Sequence, residues 1–209
     1  MKSNIILVEG VVGVGKTTLS RILSEELGFS LFEEPVVDNP FLSDFYNDPK
    51  RWSFTTQVYF LTQRFKSMCQ AGNKGGVCIL DRSILGDSIF ARLLAEKENK
   101  MTLQEYNTYL ELMYEMQKFS PEPTALIYLR SNSIESIMKK INKRGRDYEL
   151  NVDLDYWKNL GEYYREVFDS YDNCPKLTID ADSIDFVENL EDRRRLIENI
   201  KNFYYKYLI

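Results

Sequence analysis

Residues 10–17 read Gly-Val-Val-Gly-Val-Gly-Lys-Thr, which satisfies the pattern G-x-x-x-x-G-K-[ST] of a phosphate-cradling loop. Its flanks suit that reading. Ile5, Ile6, Leu7 and Val8 precede it as a short apolar run fit for a buried strand. Leu19, Ile22, Leu23 and Leu27 follow at helical spacing, and Gly28 offers a C-terminal stop. Strand, glycine loop and helix start are what phosphate binding needs. Glycines allow the backbone N–H groups of residues 10–15 to approach phosphate oxygens, and the helix N-terminus adds partial positive charge. Lys16 can reach the β- and γ-phosphates, and the Thr17 hydroxyl can be placed on Mg²⁺. The pattern predicts nucleotide binding.

Working outward, the 209 residues suit one α/β domain with a mobile flap, and 44 % hydrophobic residues allow a substantial core. A net charge of −5 argues against general binding to nucleic acid or to an anionic membrane, so local basic clusters must serve particular anions. No run approaches transmembrane length, and the apolar run at the N-terminus is too short for a signal peptide. The three cysteines, Cys69, Cys78 and Cys174, are odd in number and lack metal-ligand spacing, which suggests a reducing, cytoplasmic compartment. The chain contains no histidine. Ser–His and Cys–His nucleophiles and His-ligated metals are thereby excluded, and a general base must be sought first among carboxylates.

Apolar runs alternate with helical stripes along the chain. Strands are expected at residues 29–33, 77–80, 124–129 and 177–179 besides the one before the loop. Helices are expected over 49–71 (stopped by Gly72), from Ser83 to 96, 102–119 with a Thr102/Glu105 capping box, from Ser133 into a basic run, 153–172 and 184–207. Residues 38–47 read as a short helix or an irregular arm. Such alternation implies a parallel sheet of about five strands covered on both faces, with ligands at the strands' carboxyl ends.

The polar motifs fall at those ends. Asp81 closes the strand Val77–Leu80, where a carboxylate can hold Mg²⁺ or its waters opposite Thr17; Arg82 beside it can hydrogen-bond an acceptor oxygen or a phosphoryl group. A strand-end salt bridge is the simpler alternative. Glu33 and Glu34 face opposite ways along a strand end, and Pro35 marks Glu34 as the one at the turn, able to take the proton of an attacking hydroxyl. A solvated acidic pair is the bland alternative. Gln57 and Arg64, seven apart on one helix, share a face within about 20° of rotation and could meet a nucleobase edge. Asp87 and Phe90 share a face of the next helix, so a base could be stacked as well as hydrogen-bonded; each also reads as an ordinary surface or core residue. The run Lys139–Arg146 holds five basic residues around Gly145. It reads as a solvated basic face or as a lid closing on triphosphate.

The segments GVVGVGKTT (10–18), EPV (34–36), FYNDPKRWSFTTQVYFLTQR (45–64), DRS (81–83), 87–90 and KRGRDYE (143–149) together resemble the deoxyribonucleoside kinase family, in particular its deoxyadenosine, deoxycytidine and deoxyguanosine branch. The resemblance spans nearly the whole chain. It implies a P-loop kinase fold with a basic lid, ATP with Mg²⁺, a deoxynucleoside acceptor and a homodimer. It implies ATP binding by Gly10, Val11, Val12, Gly13, Val14, Gly15, Lys16, Thr17 and Thr18. By the same resemblance Glu34 is the general base on the 5′-hydroxyl, which Arg82 orients, and Tyr46 and Glu149 hold the 3′-hydroxyl. Gln57, Arg64 and Asp87 would read the base, Phe90 would stack on it, and Arg144 and Arg146 would be lid arginines. Asp81 would serve the metal with Thr17. Asp180, Ala181 and Asp182 would lie beside the adenine of ATP. Lys140 stands where many members carry a lid arginine, and Asp81 where many carry glutamate. A nucleoside monophosphate kinase of thymidylate-kinase type is the main rival; it would want basic groups where Glu34 sits. A GTPase-like switch is the other, but the D-x-x-G and N-K-x-D pair of such switches has no counterpart: Asp81 is followed by Arg-Ser-Ile and Asn142-Lys143 by Arg-Gly.

Overall fold

The computed structural model describes residues 4–33, 39–146, 149 and 152–208. Within them lie five parallel strands: β1 (Asn4–Glu9), β2 (Ser30–Phe32), β3 (Val77–Asp81), β4 (Ala125–Arg130) and β5 (Lys176–Asp180). Eight helices accompany them: α1 (Lys16–Leu27), α2 (Leu42–Asn47), α3 (Pro49–Lys74), α4 (Ile84–Glu96), α5 (Leu103–Lys118), α6 (Ile134–Arg144), α7 (Leu154–Asp169) and α8 (Leu190–Leu208). The sheet order is β2-β3-β1-β4-β5, with every pair parallel. Successive residues of a strand point to opposite faces. Ile5 to Glu9 are nonetheless all buried, as are Ala125 to Leu129, so both sheet faces are covered by packed structure. From β1 the chain goes first to one side of the sheet (β2, β3) and then to the other (β4, β5). The crevice of an open α/β sheet opens at such a reversal, above the carboxyl ends of β1 and its neighbours.

Local signals account for most of the helix ends. Gly28 caps α1 in the left-handed region with φ 70°, Asp48 caps α3 through the Arg51 amide, and Ser83 caps α4 through the Gly86 amide. The capping box of Thr102 and Glu105 opens α5 with both reciprocal bonds present. Among the boundaries that differ from expectation are the end of α7, at Asp169 where 172 was expected, and two that bear on packing. The long helix α3 runs through Gly72 to Lys74, and Gly75 ends it at φ 76°. Gly72 serves packing instead: a Cβ there would lie 2.4 Å from Pro121 Cγ, so its bare backbone lets the loop before β4 lie against the helix. The last helix begins at Leu190, six residues later than the pattern suggests. Asp185 Oδ1 accepts the Val187 and Glu188 amides, and Phe186 is buried, filling the space against Gly15 that a Cβ would need. A tertiary contact with the glycine loop has taken that turn out of the helix.

A second apolar cluster, of Leu61, Ile84, Ala91, Leu94, Met101, Tyr109 and Met113, packs α3, α4 and α5 together beside the sheet. It fixes the helices that carry Gln57, Arg64, Asp87 and Phe90.

Candidate active site

At the end of β1 the chain turns through the glycine loop. Gly10 has φ 149°, and a Cβ on it would lie 2.4 Å from the Leu129 carbonyl oxygen, so only glycine lets the loop leave the sheet here. Lys16, the first residue of α1, is buried, and its ammonium donates to the carbonyl oxygens of Gly10 (2.6 Å) and Val11 (3.0 Å). The loop is thus held folded around the group that would meet the phosphates. Thr17 and Thr18 are exposed beyond it.

Thr17 Oγ1 donates to Asp81 Oδ2 at 2.5 Å. Asp81 is buried, and its other oxygen, Oδ1, has no hydrogen-bond partner among the described residues. A hydroxyl and a carboxylate with a spare buried oxygen, beside a phosphate loop, fit a hard cation such as Mg²⁺. Among the described residues no set of three carboxylate, thiol or imidazole groups could hold a metal alone. The fit is therefore to a cation that keeps water and phosphate ligands, as Mg²⁺ does.

Next to the loop is a cleft of about 850 Å³, and seven expected site residues line it: Tyr46, Gln57, Arg82, Asp87, Phe90, Arg146 and Glu149. They come from α2, α3, the β3–α4 turn, α4 and the segment after α6, and Val12 of the glycine loop joins them. Gln57 and Asp87 are buried, with their polar groups on an otherwise apolar wall of Phe45, Phe60 and Leu94. Arg82 holds φ 80°, the left-handed region that non-glycine residues rarely enter, at a cost of about 1–3 kcal/mol. Its guanidinium carbon lies 5.3 Å from the Phe90 ring centroid, a cation–π contact.

Arg64 stands behind this wall and is not among the lining residues. Its Nε donates to Asp87 Oδ2 at 3.0 Å, with both side chains almost fully buried, so its direct effect is to hold the carboxylate that faces the cleft. The lid pair is also divided. Arg146 lines the cleft, whereas Arg144 at the end of α6 is bound to Glu149. Gly145 caps that helix at φ 66° and separates the two arginines.

The Asp180–Asp182 turn follows β5. Asp182 accepts the Ser131 hydroxyl (2.6 Å) and the amides of Asn132 (2.7 Å) and Ser133 (3.0 Å). Partial burial raises its pKa, but these bonds outweigh that effect and hold it below the usual carboxylate range. Lys140 Nζ reaches the Ala181 carbonyl at 3.4 Å, so this lysine is tied to the turn and not aimed with the lid arginines. Glu34, the expected base, lies outside the described residues. Glu33 is described: it forms a paired contact with Arg21 on α1 through Nε (2.5 Å) and Nη2 (2.9 Å) on the exposed side, and hydrogen bonding to Arg21 lowers its pKa.

Several lining residues carry little local signal. Tyr156 and Trp157 of α7 line the cleft, and two neighbouring aromatics on a helix carry no site signal of their own. Glu98 and Lys100, joined by a 2.9 Å ion pair, also line it. Glu9, the last residue of β1, is fully buried beneath the Arg82 turn. Burial pushes its carboxyl up to about 7, against the lowering effects of the Ser83 bond, Lys16 and Arg82. A carboxylate ending the apolar run Ile5–Val8 and directly preceding the first loop glycine was the available signal.

Comparison with known proteins extends the likeness across the chain. The family model described as deoxynucleoside kinase matches residues 6–205. A deoxyguanosine kinase of Lactobacillus johnsonii is 39 % identical over 205 residues, covering 94 % of this chain and 90 % of that protein. A deoxyadenosine/deoxycytidine kinase of Bacillus subtilis is 37 % identical over 202 residues, covering 95 % and 92 %. Among solved structures, a deoxyadenosine kinase from M. mycoides with bound dCTP is similar with a TM-score of 0.80 at 32 % identity, over 95 % of this chain and 98 % of that one.

Proposed function

The chain belongs to the deoxynucleoside kinase family, and from that premise we propose that it transfers the γ-phosphoryl group of ATP to the 5′-hydroxyl of deoxyadenosine, deoxycytidine or deoxyguanosine in nucleotide salvage. The observation that carries the reading is the single cleft in which Gln57, Asp87 and Phe90, groups suited to a base, face the same space as Arg82, Arg146 and Glu149. That cleft adjoins the glycine loop through Val12.

In this reading Lys16 and the loop amides bind the triphosphate, with Lys16 exchanging the Gly10 and Val11 carbonyls for phosphate oxygens. Thr17 and Asp81 would hold Mg²⁺, whose charge, when bound, offsets that of the transferring phosphoryl group. Glu34 accepts the 5′-hydroxyl proton as its oxygen attacks phosphorus. Arg82 orients that oxygen, and Arg144 and Arg146 neutralise charge spreading onto the equatorial oxygens. Tyr46 and Glu149 hold the 3′-hydroxyl. Gln57 and the Asp87 carboxylate, oriented by Arg64, pair with the base edge, and Phe90 stacks on its face. The Asp180–Asp182 turn, braced by Ser131–Ser133, lies beside the adenine of the donor.

A homodimer and a cytoplasmic location belong to the same proposal. Solvent-exposed Tyr114 and Phe119 on and just after α5 give an apolar surface that a second copy could cover, and three free cysteines suit a reducing compartment. Sedimentation at twice the 24.6 kDa chain mass tests the dimer.

A panel of the four deoxynucleosides and their monophosphates, assayed with ATP and Mg²⁺, tests the activity. Phosphorylation of deoxyadenosine, deoxycytidine or deoxyguanosine well ahead of thymidine is expected. Preference for a monophosphate acceptor, or for thymidine, overturns the assignment.

A further inference from the structure

β1 ends in a carboxyl group that the reaction scheme does not use. Glu9 is fully buried, and its Oε1 accepts the Ser83 amide at 2.5 Å. Its Oε2 has no hydrogen-bond partner among the described residues. Space for this group is made by Gly86 on the first turn of α4, where a Cβ would lie 2.5 Å from Oε1 and 2.8 Å from Oε2. The turn it contacts is the strained one. β1 and β3 stay in register to Val8 and Asp81, and the Arg82 amide still bonds the Val8 carbonyl at 3.1 Å. There the chain turns through the left-handed Arg82, and the next amide, that of Ser83, goes to Glu9. Ser83 in turn caps α4 through the Gly86 amide at 3.2 Å, so the same clamp sets the start of the helix bearing Asp87 and Phe90.

A left-handed non-glycine residue persists only where its surroundings over-determine it. On one side of Arg82 that hold is the β1 ladder; on the other it is the Glu9 carboxyl group. We propose that Glu9 is a positioning residue for phosphoryl transfer: it clamps the Ser83 amide, so that the Arg82 turn carries its guanidinium into the acceptor cleft. The proposal rests on the reading of Arg82 as a group that touches the acceptor.

The clamp acts through geometry and needs an oxygen at one place. Glu9→Gln keeps that oxygen, Glu9→Asp withdraws it by one methylene, and Glu9→Ala removes it. Misplacement of a catalytic group by about 1 Å can cost on the order of 100-fold in rate. Glu9→Ala should therefore lower kcat by about 10- to 100-fold, with ATP affinity by titration changed less than about twofold and Glu9→Gln within about threefold of the native kcat. Combined with Arg82→Ala, the Glu9→Ala loss should vanish, because the group through which it acts is gone. If Glu9→Ala fails to fold, Glu9→Asp takes its place in the same cycle, with an expected loss in kcat of about tenfold. Multiplicative losses in the double mutant, an equal fall in kcat and ATP affinity, or a Glu9→Gln enzyme as poor as Glu9→Ala would each overturn the clamp. Native turnover in Glu9→Ala beside a crippled Arg82→Ala overturns it alone. Native turnover in Arg82→Ala overturns the role of Arg82 as well.

Discussion

Arg144 and Glu149 form a forked ion pair: Nη2 lies 2.7 Å from Oε1 and 2.6 Å from Oε2, and Nε lies 3.1 Å from Oε2. Arg146 Nη1 stands 3.6 Å from the same carboxylate. The expected lid arginine and the expected ligand of the 3′-hydroxyl therefore contact each other directly. In the proposed function, triphosphate that draws Arg144 away would release Glu149 for the sugar, and a sugar that takes Glu149 would release Arg144.

The first prediction follows from that exchange. A non-hydrolysable ATP analogue should tighten deoxynucleoside binding by about 5-fold or more, with the reciprocal effect of deoxynucleoside on the analogue, since coupling free energy is symmetric. Arg144→Ala should remove most of the coupling. Calorimetric titration of each ligand with and without the other measures it; equal coupling in the native and Arg144→Ala proteins would sink the exchange.

Arg64 and Asp87 form a pair that is almost fully buried, which makes their separation costly in a different way. Asp87→Ala removes the buried carboxylate to which Arg64 Nε donates, and breaking a buried pair typically destabilises by about 3–5 kcal/mol. Denaturant unfolding should show a loss of that order. Asp87→Asn, which keeps an oxygen for Arg64, should lose less and should shift the ranking of bases. A neutral Asp87→Ala would show that the pair is solvated in the working protein.

Turnover should depend on Glu34 far more than on Glu33. Glu33 is engaged with Arg21 of α1 in an exposed pair and is not among the residues lining the cleft. Glu34→Gln keeps the shape but cannot take a proton, and general-base contributions run to roughly 10²–10⁴ in rate. A fall in kcat of that order is expected with ATP affinity nearly unchanged, while Glu33→Gln stays close to native. Steady-state kinetics with ATP titration distinguishes them; a crippled Glu33→Gln would reverse the assignment.

Glu9 predicts a pH dependence of stability. Its folded pKa of about 7 lies above the ordinary value of 4.5, chiefly through burial, so between these values the folded chain keeps a proton that the unfolded chain releases. Stability from this group is full below about pH 4.5 and is lost as pH rises to about 7, by roughly 3 kcal/mol at full extent. Lys16 and Arg82 favour the ionised form, and Asp87 opposes it. Glutamine does not titrate. The Tm of Glu9→Gln minus that of the native protein, without nucleotide, should therefore climb across this range and level off above it. A difference independent of pH would show that Glu9 is ionised throughout.

Much of the fold was legible because its signals are local. The glycine loop, the apolar run before it, the Thr102/Glu105 box and the Gly28 cap each act within a few residues of themselves, and each stands where the pattern puts it. Of the cleft residues, Gln57, Arg82, Asp87, Phe90 and Arg146 could be named from helix faces, a strand end and a basic run, and Tyr46 and Glu149 from the family resemblance alone; the seven line one space.

Partnerships between distant segments were decided only by the tertiary structure. Gly72 looked like a helix stop until Pro121, 49 residues on, was packed against it, and the turn at Phe186 yielded its helical conformation to a contact with Gly15. Arg64 was legible as a polar group on a helix face, but its place behind Asp87 depends on how α3 and α4 pack through Leu61 and Ala91. Glu9 shows the limit most plainly. In sequence it is the last residue of an apolar strand, and its partner is an amide 74 residues away, reached because β1 and β3 lie side by side. Periodicity and capping determine which residues share a face or end a helix; burial of a charged or polar group takes its meaning from whatever the sheet order and helix packing bring beside it.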